Sequence, residues 1–322
     1  MNSSAPEKEL ARERVVIFGG LGFIGSHLCH ELLKHCSAVR AFDRPGESRD
    51  TVQSIENRIE IVGGDISNTN EVLEGLRDAT VLINLVHTTV PGSSMQDPGY
   101  DVVSNVASAV KWLERLEETN LRKIIYFSSG GTVYGIPETV PITEDHPTNP
   151  ISSYGVTKLA IEKYTALYAN RFGIEYRLVR PSNVYGPRQR LSHGQGVIGI
   201  LANRALNREV LEVWGEGTHQ RDYLFIGDLV DAILKLLVYR GPFRIFNISS
   251  GTGHSVLDLI AVLSKEIDPL PRVEHRPGRG FDVPVNILDS SRLRQETGWR
   301  PVIGFEEGIR RTIQWLKERT SA

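Results

Sequence analysis

Along the first 180 residues, apolar positions follow two periods in turn. Short, β-branched apolar runs occur at Val15-Val16-Ile17-Phe18 and over 38–42, 59–62, 81–86, 123–128 and 174–179. A strand covered on both faces shows such a continuous run rather than alternation, so these predict six buried parallel strands. Between them, apolar residues return at helical spacing, predicting helices from a glycine-rich turn to about Lys34 and over 69–76, 102–119 and 153–172. That alternation predicts an α/β fold: a doubly wound parallel Rossmann-type sheet over residues 13–180. Beyond Arg180-Pro181 the chain becomes richer in loops, Gly and Pro. We expect a smaller C-terminal substrate-binding domain over 181–322, with 222–248 returning to pack on the first domain and 1–12 as a flexible lead-in.

Composition narrows the function. The 322 residues carry a formal net charge of −2, with 24% charged residues. That predicts a soluble surface and gives no electrostatic case for nucleic acid, which calls for a basic face. Cys29 and Cys36 lie seven residues apart, about two helical turns, and read as ordinary buried thiols. No spacing suits a metal site. No apolar run reaches the length of a membrane span, and the polar stretch 1–8 lacks a signal-peptide core. The expectation is a cytoplasmic protein with no membrane partner.

The first chemistry lies where the opening strand ends, at Gly19-x2-Gly22-x2-Gly25, with Phe23 and Ile24 starting the helix. A glycine turn between strand and helix lets backbone N–H groups approach a pyrophosphate, whose charge the helix N-terminus favours. Asp43 ends the second strand, where a carboxylate can accept both ribose hydroxyls of NAD and repel the extra phosphate of NADP. Arg44 beside it is a group that can accommodate that phosphate, or lie over the adenine, or face solvent; NAD is the favoured cofactor. Asp65, with Ile66, ends the third strand where it can meet the adenine or simply close a turn.

The second chemistry is Tyr154-Gly-Val-Thr-Lys158. At i and i+4 the two side chains share one helix face. A free phenol titrates near about 10. A neighbouring ammonium and the positive nicotinamide of NAD are expected to favour the phenolate and make Tyr154 a usable base.

These residues, with others in the same order, resemble the extended short-chain dehydrogenase/reductase family, in particular its nucleotide-sugar epimerases of the UDP-galactose 4-epimerase type. The resemblance runs from Arg14 to about Lys317. It rests on the segment from Phe18 to Gly25, on Phe127-Ser-Ser-Gly-Gly-Thr-Val-Tyr-Gly135, on Ser153-Tyr-Gly-Val-Thr-Lys158 and on Arg180-Pro-Ser-Asn-Val-Tyr-Gly-Pro-Arg188. Gln220-Arg-Asp-Tyr-Leu-Phe-Ile-Gly-Asp228 and Arg279-Gly-Phe-Asp282 extend it. It implies that Tyr154 takes the proton of a sugar 4-hydroxyl while C4 gives hydride to NAD. The 4-keto sugar then turns and takes the hydride back on its other face.

One position departs from the family pattern. Where these epimerases carry a Ser or Thr on the reacting hydroxyl, this chain has Gly130; Ser129 and Thr132 are the hydroxyls available to substitute. The same stretch speaks against two sister reactions. The related 4,6-dehydratases and uronate decarboxylases carry acids just before Val-Tyr-Gly, and here those positions are Gly131 and Thr132.

The resemblance further implies that Asn183, Arg221 and Arg279 hold the nucleotide diphosphate, a task the planar guanidinium fork suits. Arg190, in the string Arg188-Gln-Arg190, is similar to an arginine near the sugar end in some uronic-acid epimerases. Asn286 matches a position that gates sugar size, so N-acetylated hexoses are expected to fit. Helices 102–119 and 153–172 are expected to pair across a homodimer. The expected activity is C4 epimerisation of a UDP-hexose. The alternatives are a UDP-glucuronate 4-epimerase, another NAD(P)-dependent nucleotide-sugar oxidoreductase, or a non-catalytic NAD-binding regulator.

Overall fold

The computed structural model describes residues 10–191, 196–278 and 283–320. The chain divides into two compact units. One comprises residues up to Gly135, Pro147–Arg180 and Val230–Phe246; the other comprises Ile136–His146, Pro181–Leu229 and the residues from Asn247 on.

The first unit is built on six parallel strands: β1 (Arg14–Phe18), β2 (Ala38–Asp43), β3 (Glu60–Gly63), β4 (Val81–Asn84), β5 (Lys123–Phe127) and β6 (Glu175–Pro181). They lie in the order β6-β5-β4-β1-β2-β3, and the strand Ile245–Ile248 adds a seventh beside β6. This is the doubly wound Rossmann-type arrangement expected. The order reverses between β1 and β4, and ligands of such sheets bind at the carboxyl ends of the strands there. Strands β4 and β5 are buried along their whole length, which is why they read as continuous apolar runs. One face packs Phe18, Phe42, Leu82, Trp112, Tyr126 and Leu178 into a single core.

The seventh strand lies outside the sequence expectation because Ile245–Ile248 is only four residues long and carries Asn247, buried at 0% exposure, which breaks its apolar run. Two helices match their predicted bounds, α1 aside: α2 (Thr69–Leu76) and α3 (Ser153–Phe172). Helix α1 (Phe23–Leu32) stops two residues early. The expected helix over 102–119 is instead a composite. It starts at Pro98, widens into a π-helical turn over Val102–Ala107, continues as Ser108–Leu113 and closes in a short 3₁₀ turn at Leu116–Glu118.

Both ends of α3 follow from local sequence. Ser152 Oγ caps the Gly155 N–H at 3.2 Å, Ser94 Oγ accepts from the Tyr154 N–H at 3.1 Å, and Met95 Sδ accepts from the Ser153 N–H at 3.4 Å. The otherwise orphaned donors of a helix start are thereby used. Gly173, at φ +68°, ends the helix in the left-handed conformation that favours glycine.

In the second unit, Gln220–Phe225 pairs in parallel with Asn183–Tyr185 and Val285–Asn286, and antiparallel with Gly253–His254. A further parallel pair joins Leu211–Trp214 to Val273–Arg276. Asp222, fully buried, ties three segments of this unit together: its carboxylate accepts from the N–H groups of Ser250, Gly251 and Leu288.

Candidate active site

The glycine turn closes β1 and opens α1. Gly19 has φ +82°, a backbone conformation that disfavours any side chain. A Cβ on Gly25 would stand 2.1 Å from the Gly19 carbonyl oxygen, and one on Gly20 would stand 2.6 Å from Ala41 Cβ. Only bare backbone fits here, so the turn presents N–H groups and the start of α1, a surface that suits an anion. Asp43 Oδ2 accepts from the Leu21 N–H at 2.9 Å and so braces the turn itself. Arg44 is exposed and pairs with Glu47 at 2.5 Å. The residues present therefore fit NAD. Asp65 closes a turn: its Oδ1 accepts from both the N–H and Oγ of Ser67, which holds its carboxyl below the usual range. Ile66 packs against the core.

Tyr154 and Lys158 stand on the first turns of α3, and sequence placed both. Lys158, 3% exposed, donates from Nζ to the Phe127 carbonyl oxygen at 2.7 Å, pinning α3 to the carboxyl end of β5. Its Nζ lies 5.8 Å from the centre of the Tyr154 ring. Burial pushes the Lys158 amine down to about 7, against the opposing pull of Glu162 and Asp101. The Tyr154 phenol is raised well above its ordinary value, first by burial and then by the negative Asp101. The chain by itself therefore favours a protonated phenol, and the expected phenolate draws on the positive charge of a cofactor as well.

Gly155, between the pair, is required by packing. A Cβ there would lie 2.8 Å from both the Thr132 carbonyl oxygen and Pro150 Cβ. Helix α3 thus sits directly on the segment from Phe127 to Gly135. In that segment the Ser129 carbonyl accepts from the N–H groups of Thr132 and Val133, making a tight turn. Of the two candidate hydroxyls, Thr132 Oγ1 is buried with no protein partner among the described residues, as is Ser128 Oγ, which sequence reasoning passed over.

One buried ion pair joins three of the motifs. Arg180 donates to Glu162 through Nε and Nη2 at 2.9 and 2.7 Å, and through Nη1 to Tyr134 Oη at 3.0 Å. Glu162 lies one turn beyond Lys158. Both charges are at most 2% exposed, and the fork–carboxylate geometry satisfies them.

Sequence reasoning also missed His87 and Asp101. His87 follows β4, and its ring meets that of Tyr154 edge-on at 4.6 Å. Its place just past a strand end at the switch point was the signal available. Asp101 gave none, since only the folded composite helix brings it here.

In the second unit the register puts Asn286 beside Arg221, and Asn183 beside Tyr223, two residues further along the same strand. These positions share one face of the small sheet. Asn183 Nδ2 donates to the Asp222 carbonyl at 3.1 Å, Arg221 Nη1 to the Gln220 carbonyl at 3.0 Å, and Asn286 is 2% exposed. Arg190 is partly buried on the loop before 196. Arg279 lies outside the described residues. Among the described residues, no His, Cys, Asp and Glu side chains cluster as a metal site, and no helix is long and apolar enough to cross a membrane.

Comparison with known proteins accords with this geometry. A putative UDP-glucose 4-epimerase of Methanocaldococcus jannaschii is 33% identical over 304 residues, covering 94% of this chain and 98% of that protein. Among solved structures, the UDP-glucose 4-epimerase of Thermotoga maritima with UDP-glucose superposes with a TM-score of 0.87 at 29% identity, covering 95% of this chain and 99% of that one. The UDP-glucuronic acid 4-epimerase of Bacillus cereus, in complex with UDP-glucuronic acid and NAD, gives 0.86 at 26% identity, covering 95% and 99%. The family model described as NAD dependent epimerase/dehydratase matches residues 15–249. The glycine cradle, Asp43 and the Tyr154–Lys158 pair thus belong to a chain that is a member of the NAD dependent epimerase/dehydratase family, an epimerase enzyme with NAD as its cofactor.

Proposed function

We propose that this enzyme inverts C4 of a UDP-hexose through a transient 4-keto sugar. The observation that carries the reading is Tyr154 standing on the first turn of α3, pinned to the end of β5 through Lys158 and Phe127. NAD supplies a hydride acceptor that returns what it takes, so no second substrate is needed. Tyr154 takes the 4-hydroxyl proton and gives it back. Lys158 fixes the helix turn and contributes positive charge beside the phenol. We assign the hydroxyl that replaces the family's Ser or Thr to Thr132 ahead of Ser129, because Thr132 Oγ1 is buried and has no partner among the described residues. Gly19, Gly22, Phe23, Ile24 and Gly25 receive the pyrophosphate, with Asp43 on the ribose side and Asp65 and Ile66 toward the adenine. On the second unit, Asn183, Arg190, Arg221, Arg279 and Asn286 are assigned to the nucleotide sugar. An intact Tyr154–Lys158 pair argues against a purely regulatory NAD-binding protein, which has no use for a base.

A second reading, UDP-glucuronate as substrate, draws on Arg188. It adopts φ +67°, rare for a residue with a side chain, and its Nη1 is buried without an acceptor among the described residues. A cation held so is prepared for an anion. A homodimer through α3 and the composite helix is supported by the apolar residues the first unit leaves uncovered there. Val103 is 64%, Leu167 58%, Tyr100 55% and Val156 50% exposed.

The test is proton NMR of the purified enzyme with UDP-glucose, UDP-N-acetylglucosamine and UDP-glucuronate separately, without added NAD. A C4 epimer in the first or second tube supports the hexose reading, and one in the third alone supports the uronate. Silence in all three overturns both. Tyr154→Phe is expected to lower turnover at least about 100-fold, and near-normal turnover refutes its role as the base.

A further inference from the structure

Beside Tyr154 lies a buried polar cluster that the proton transfer does not use. Asp101 is 0% exposed and is surrounded by donors. Its Oδ1 accepts from Thr89 Oγ1 at 2.5 Å and Asn105 Nδ2 at 3.0 Å; its Oδ2 accepts from Ser153 Oγ at 2.7 Å and Thr157 Oγ1 at 3.1 Å. The His87 side chain, 4% exposed, closes the cluster with Nε2 3.4 Å from Asp101 Oδ1 and 3.3 Å from Thr157 Oγ1.

These contacts decide which ring nitrogen carries the proton. Besides His87, the neighbours of Thr157 Oγ1 are Asp101 Oδ2 and the carbonyl oxygens of Ser153 and Tyr154, all acceptors. Its single proton is required there, so it receives from Nε2 rather than giving to it. A carboxylate oxygen on the same side asks for the same proton. Nε2 therefore bears the hydrogen and Nδ1 is left with a bare lone pair. That Nδ1 is buried, and among the described residues no protein donor reaches it. The ring stays neutral, because burial and the nearby Lys158 both disfavour its charged form. An acceptor buried with nothing to accept is costly, and a site that keeps one has a donor to offer it from elsewhere.

We propose that His87 Nδ1 accepts a hydrogen bond from a ring hydroxyl of the ligand held against Tyr154, and that Asp101 acts as a positioning residue fixing the tautomer that makes this possible. The inference rests on Tyr154 marking the reaction centre. Two rings bring hydroxyls there, the ribose of the bound cofactor and the hexose of the substrate, and they share this chemistry.

The test uses the enzyme as purified, with NAD bound, and three variants. His87→Asn keeps an acceptor close to the position of Nδ1. His87→Leu keeps the bulk against Tyr154 and removes the acceptor. Asp101→Asn leaves the ring without its fixed partner. The rate of NAD loss is read by exchange with labelled NAD, and affinities for UDP-glucose and for UDP by calorimetry. The Leu variant is expected to weaken one ligand by about 3- to 10-fold, the loss of one hydrogen bond, while the Asn variant stays within about twofold of the wild type. Asp101→Asn is expected to resemble Leu. Faster NAD exchange with unchanged UDP-glucose affinity names the ribose as donor. A fall in UDP-glucose affinity with UDP affinity unchanged names the hexose. If the folded Leu variant leaves both ligands unaltered, or if Asn and Leu lose equally, His87 only packs and the proposal is overturned. Should the wild type itself fail to bind UDP-glucose, the substrate reading falls, and the NAD arm alone decides the role of His87.

Discussion

Gly155→Ala isolates placement from chemistry, because it adds one methyl group between Tyr154 and Lys158 and touches neither functional group. In an exposed helix the change would stabilise by about 1 kcal/mol, since glycine is the poorer helix former. Here the new Cβ would stand 2.8 Å from the Thr132 carbonyl oxygen and 2.8 Å from Pro150 Cβ. Ordinary contact begins near 3.4 Å, so α3 and the turn beneath it must separate by about 0.6 Å. Neither neighbour is the end of a flexible side chain, so the backbone itself has to move. Overpacking of this kind costs about 1–3 kcal/mol. Set against the propensity gain, the net change lies between about zero and 2 kcal/mol of destabilisation. The effect on rate is expected to be larger than the effect on stability. A displacement near 1 Å at a reacting group costs on the order of 100-fold, so about 0.6 Å corresponds to roughly a 10- to 100-fold fall in turnover. Urea unfolding gives the first quantity, and epimerisation followed by NMR gives the second. A variant more stable than the wild type with undiminished turnover would show that α3 does not rest on Thr132 as described.

Three further outcomes follow from the same geometry. Glu162→Gln leaves the buried Arg180 charge unmatched and is expected to cost about 3–5 kcal/mol, read as a lower urea midpoint; an unchanged midpoint removes the pair from the fold's stability. In the cofactor-stripped protein, Lys158 titrates lower folded than unfolded, so between about pH 7 and its ordinary value the unfolded chain binds the extra proton. Wild-type stability should therefore rise with pH relative to Lys158→Met, by up to about 1.4 kcal/mol per pH unit, and parallel profiles would refute the buried amine. Asn286→Tyr is expected to lower turnover of UDP-N-acetylglucosamine at least about 10-fold relative to UDP-glucose, and an equal effect on both ends the idea of a size gate there.

The sheet was legible because burial on both faces leaves an uninterrupted apolar signature, as at 81–84 and 123–127. Tyr154 and Lys158 were legible because one helical turn relates them locally. What failed was whatever depended on a partner distant in sequence. The strand at Ile245–Ile248 hides Asn247 inside, where its side chain bonds the carbonyls of Ile142 and Asp289, and no local pattern reveals that. The electrostatics around Tyr154 were legible only in part for the same reason. Spacing shows an ammonium beside a phenol, while the balance of charge depends on burial and on Asp101, contributed from more than fifty residues earlier.

The π-helical turn at Val102–Ala107 gives this site a reserve of chain length. Such a turn holds one residue more than the α-helix around it. Across that surplus the helix keeps Asp101 on Ser153 and Thr157, Asn105 on the Thr88 N–H, and Ser108 on the Val103 carbonyl. Deleting one residue between 102 and 107 would restore ordinary winding, and because five α-helical residues turn the chain about as far as six in the wider turn, the two sides would keep their relative orientation. Asp101 and the core residues Trp112 and Leu113 could then still face inward together. A single-codon deletion that spares Asn105 is therefore expected to keep Asp101 on α3, whereas loss of Asn105 itself removes the bond to the Thr88 N–H.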